Sequence, residues 1–128
     1  MPEAAIILTI FDKVLNVLGL IRDGNIKKDE KIDNSLHALY AALSETKAYS
    51  VLLNEGAKRN RDKEFKLAEL WHEASVSLRH VEPELAHKYF LKGSYWLEPD
   101  AWDEAKIKEN QIALDKVFEE TRELLVGK

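Results

Sequence analysis

The sequence predicts an all-α fold: one domain over residues 1–128, built as a compact, mostly up-and-down bundle of about five helices. Three observations point there. Apolar residues recur at three- and four-residue spacings along most of the chain, which is the period of a helix with one buried face. The glycines and prolines mostly fall where those stretches begin or end, and no alternating run long enough for a strand appears. Composition agrees, with 45% hydrophobic and 33% charged residues in 128 positions, as expected for a chain that folds around a single core.

The first helix is predicted from Ala4 to about Ile21, with Ile6, Ile7, Ile10, Phe11, Val14, Leu15, Val17, Leu18 and Ile21 on a wide apolar face. Thr9, Asp12, Lys13, Asn16 and Asp23 share the narrow polar face opposite. Such a helix is expected at the centre of its bundle or shared with a second subunit. The interrupting polar residues, the closing Arg22 and the lack of a preceding basic region argue against a signal or membrane segment.

Gly24 is placed to stop that helix, because glycine enters the left-handed conformation at little cost. The second helix begins between Asp29 and Ser35, where Asp29, Asp33, Asn34 and Ser35 are all good capping residues, and follows Ile32, Leu36, Leu39, Tyr40 and Leu43 to Asn54 or Glu55, with Gly56 as its stop. Asn60 or Asp62 caps a third helix that buries Leu67, Leu70, Trp71, Ala74, Leu78 and Val81. Pro83 suits the first turn of a short fourth helix with Leu85, Ala86, Tyr89, Phe90, Gly93, Trp96 and Leu97 inside. Pro99 ends it. Asp100 or Asp103 caps the last helix, whose buried residues are Ile107, Leu114, Val117, Phe118, Leu124 and Leu125, with Thr121 beside them.

Charge and cysteine content narrow the function classes. A net charge of −4 gives no general attraction to nucleic acid or an anionic membrane, and neither is expected as a partner. The clusters Lys27-Lys28-Lys31 and Lys58-Arg59-Arg61-Lys63 fall at opposite ends of an up-and-down bundle, so they form no single groove. Without cysteine there is no disulfide and no thiolate chemistry, which suits a cytoplasmic protein.

The densest chemical feature is the segment from Tyr89 to Trp102, which carries five of the eleven aromatic residues around Gly93 and Pro99. Aromatic side chains bring large apolar area with few rotatable bonds, so the segment is either a core corner or a binding surface. Leu91 and Tyr95 fall on the outer face of the fourth helix; with Trp102 they are the predicted interaction residues.

Polar residues give weaker signals. Glu45, Thr46, Lys47 and Ser50 interrupt the second helix's stripe, and the ordinary account is side-chain bonding to the preceding turn. If a pocket forms there, Glu45 and Tyr49 line it with Trp71, and His72, Arg79, His80 and His87 are its further candidate residues. Glu69-Leu70-Trp71-His72 and Glu84-Leu85-Ala86-His87 resemble the paired Glu-x-x-His motifs of di-iron carboxylate bundles. The turn near Pro83 sets the two out of level, so no metal and no cofactor is expected. The bundle shape is also similar to that of HEPN-type nucleases. Their Arg and His, with four to six residues between them, have no counterpart, and only Arg79, His80 and His87 could take part.

The sequence therefore predicts a bundle that works by protein contact, as a homodimer or a regulatory component, with no assigned catalytic activity. A small helical enzyme or ligand-binding protein of nuclease or metal-carboxylate type is the alternative.

Overall fold

The computed structural model describes residues 3–78 and 104–126, with side chains at 12–77, 112 and 114–126. Four α-helices lie in these residues: α1 Glu3–Arg22, α2 Glu30–Asn54, α3 Arg61–Leu78 and α4 Glu104–Val126. No strand occurs among them. The expected count of five is therefore met only by four described helices. The helix predicted from Pro83 to Leu97 lies outside the described residues.

Local chemistry sets the helix ends. Ile32 donates its backbone N–H to Asp29 Oδ1 at 2.9 Å, which makes Asp29 the cap of α2 and supplies an acceptor for an otherwise orphaned donor. Asn60 does the same for α3, accepting from the Lys63 N–H at 3.2 Å. Gly24 and Gly56 follow α1 and α2 with φ of 83° and 94°. At each, the N–H of the next residue bonds back across six residues, Asn25 to the Leu20 carbonyl and Ala57 to that of Leu52. The reversal needs positive φ, which L side chains adopt only under strain.

Side-chain pairs fix the directions. Ser35 meets Ser77 and Tyr49 meets Glu64, so α2 and α3 are antiparallel. Tyr40 stacks on Phe118 and Lys47 pairs with Asp115, so α2 and α4 are antiparallel too. Arg22, at the end of α1, reaches Glu120 at 3.0 Å near the end of α4, so these two run parallel. Extensive packing joins α2 to α3, α2 to α4 and α1 to α4. The last helix thus sits between the first and second. The α1–α2 connector marks one end of the bundle and the α2–α3 loop the other, which places the two basic clusters at opposite ends as expected.

The core is continuous. Val14, Val17, Leu18 and Ile21 of α1 pack with Leu36, Leu39, Ala42 and Leu43 of α2, Leu67, Trp71 and Ala74 of α3, and Leu114 and Val117 of α4. Burial of this apolar area, at about 25 cal/mol per Å², is the main stabilising term. The described half of α1's wide face is therefore covered within one chain. Only Ile6, Ile7, Ile10 and Phe11, whose side chains lie outside the described set, still carry the argument for a shared face.

Candidate functional site

The most concentrated polar group lies where α2, the following loop and α3 meet. Glu64 is fully buried, one turn into α3 on the same face as Leu67, Ala68 and Trp71. A bare carboxylate there would be very costly, and the surrounding donors remove most of that cost. Arg59 donates from both Nε and Nη2, at 2.7 and 3.0 Å, to the two carboxylate oxygens. Arg61 adds a further bond to Oε1, and the Tyr49 hydroxyl donates to Oε2 at 2.6 Å. That same hydroxyl accepts the Asn60 N–H at 2.9 Å, tying the loop backbone to the cluster. Arg61 also lies over the Phe65 ring, 4.9 Å from its centre.

The electrostatics follow from this geometry. Burial pushes the Glu64 carboxyl up, but the hydrogen bonds from Arg59, Tyr49 and Arg61 outweigh it and hold the group below the usual carboxylate range. Burial pushes the Tyr49 hydroxyl up, reinforced by Glu64 and opposed by the Asn60 bond. Arg59 is raised, first by its hydrogen bond to Glu64. A carboxylate held ionised, with its oxygens filled by protein donors, has little capacity left to take a proton. Its chemistry is that of a clasp holding the loop to both helices.

A second polar pair lies deeper. Trp71 Nε1 donates to Thr46 Oγ1 at 2.8 Å, while Thr46 donates to the Ala42 carbonyl and Ser50 to the Thr46 carbonyl. The expected back-bonding of these hydroxyls is present. Near the opposite end, Ser35 Oγ donates to the Ser77 carbonyl and accepts from Ser77 Oγ, both at 3.0 Å.

Of the predicted pocket residues, Glu45, Tyr49, Trp71 and His72 fall among the described residues. Trp71 is buried as expected and Tyr49 is buried too, and each is engaged by a partner that periodicity does not reveal, Thr46 for Trp71 and Glu64 for Tyr49. Glu45 is exposed on α2, and so is His72 on α3. His72 borders a cavity of about 440 Å³ at the α1–α2 connector end, together with Lys31, Asn34, Glu73, Val76 and Ser77. Arg79, His80, His87, Leu91, Tyr95 and Trp102 lie outside the described residues. Among the described residues, no group of three or more His, Asp or Glu comes together as a metal site, and no helix is long and apolar enough to cross a membrane.

Glu64 is the residue that sequence reading missed. Its signal is present, since Glu64 falls three and four residues before Leu67 and Ala68 and follows Arg59 and Arg61 closely. Across known proteins, the chain matches no family model, no curated protein sequence and no solved structure.

Proposed function

We propose that this chain acts by protein contact, as a self-associating or regulatory helical bundle of the cytoplasm. One observation supports this over catalysis: the buried polar tips of Tyr49, Glu64, Thr46 and Trp71 are taken up in bonding to one another, while Glu45 and His72 are exposed. An enzyme of this size needs titrating residues facing one enclosed space. The sequence adds the aromatic segment around Leu91, Tyr95 and Trp102 as the contact region. Size exclusion with light scattering is expected to give about twice the 14.7 kDa chain mass, the usual outcome of symmetric pairing. A strictly monomeric result at high concentration removes the self-association claim. Tyr95→Ala and Trp102→Ala are expected to leave the melting temperature nearly unchanged and to weaken association by about 2 kcal/mol.

A second reading rests on the cavity that brings His72 together with Lys31, Asn34 and Glu73. Its size falls within the range of small-molecule sites, and its mixed charges suit a small polar ligand. Shifts of the His72 ring signals on titration with small carboxylic acids and amino acids favour this reading, and unchanged signals at millimolar ligand remove it.

A further inference from the structure

We draw no further inference here: the strongest candidate, the surface patch of Ala48, Val51 and Leu52 on the second half of α2, is an apolar face with nothing among the described residues to show what covers it.

Discussion

Where α2 meets α3, polar pairs run along the whole seam, Ser35 with Ser77, Thr46 with Trp71 and Tyr49 with Glu64, whereas α2 meets α4 through Tyr40 stacked 5.2 Å from Phe118, with Lys47 above that ring at 4.6 Å. The two seams hold the same helix by different physics. Hydrogen bonds are directional, so sliding α3 along α2 by one turn, about 5.4 Å, would orphan several buried polar groups together. Stacked rings lose contact area gradually over the same slide. The first seam therefore sets register and the second mainly supplies area. Surface charge adds little, because the Lys47–Asp115 pair across the second seam is partly exposed and pairs within one helix, such as Arg122 with Glu119, sit in water.

The comparison breaks most visibly at Glu64. Glu64→Ala is expected to destabilise the fold by about 3 kcal/mol in urea titration, because it removes the common acceptor of Tyr49 and two arginines from a fully buried position. The arginines are themselves about 40% exposed and can rehydrate, which keeps the cost from rising further. A loss below about 1 kcal/mol would mean that the polar seam does not hold the hairpin.

The same residue carries a pH signature. A carboxyl depressed in the folded state stabilises the fold fully above its unfolded value of about 4.3, and that contribution disappears as pH falls through the lower folded value. Glu64→Gln is expected to flatten this acid limb while leaving the remaining carboxylates to titrate. Parallel acid limbs in the two proteins would contradict the depressed value. At the alkaline end, the raised Tyr49 hydroxyl contributes stability that is lost as pH rises above about 10.

Phe118→Ala tests the other seam. The residue is half-buried, so about 2 kcal/mol is expected rather than the full cost of deleting a core aromatic. Combined with Tyr40→Ala in a double-mutant cycle, the coupling should be about 1 kcal/mol, the excess of a stacked pair over its buried area. Zero coupling would reduce this seam to area alone. Trp71→Phe keeps most of the packing and removes the N–H that reaches Thr46, with an expected cost of about 1 kcal/mol. At the bottom of the series, Arg122→Ala should change stability by no more than about 0.5 kcal/mol, and a larger effect would promote surface charge to a real contributor.

The helix ends were legible because their causes are local. Asp29, Asn60, Gly24 and Gly56 each act within a few residues of themselves, and all four fall among the positions that sequence reading marks. The bonding of Thr46 and Ser50 is local as well. Glu64 was not legible because its burial depends on Tyr49, 15 residues earlier and on the other helix. Periodicity assigns a charged residue to solvent unless a partner is known, and the partner is a tertiary fact. Trp71 was correctly placed inside for its apolar body, while Tyr49 was marked only as a conditional pocket residue; the polar tips of both found partners on the facing helix. Glu45 was grouped with Tyr49 because one turn separates them, yet it lies toward water. The order of packing was also beyond a sequence argument, since nothing in α4 marks it as the neighbour of both α1 and α2.

That order has a consequence for how the molecule is made. The Arg22–Glu120 pair joins residues 98 apart, and Lys28 bonds the Leu124 carbonyl across 96. On the ribosome, α2 and α3 can pair soon after both have emerged, but α1 must hold Val14, Val17, Leu18 and Ile21 without the α4 face that packs on them until α4 has been made as well. Closing so long a loop costs little more entropy than closing one half its length, yet the waiting stripe stays open to chaperones and to other nascent chains throughout. Translation speed from α3 through α4 thereby sets how long α1, the most apolar of the described helices, remains a hazard.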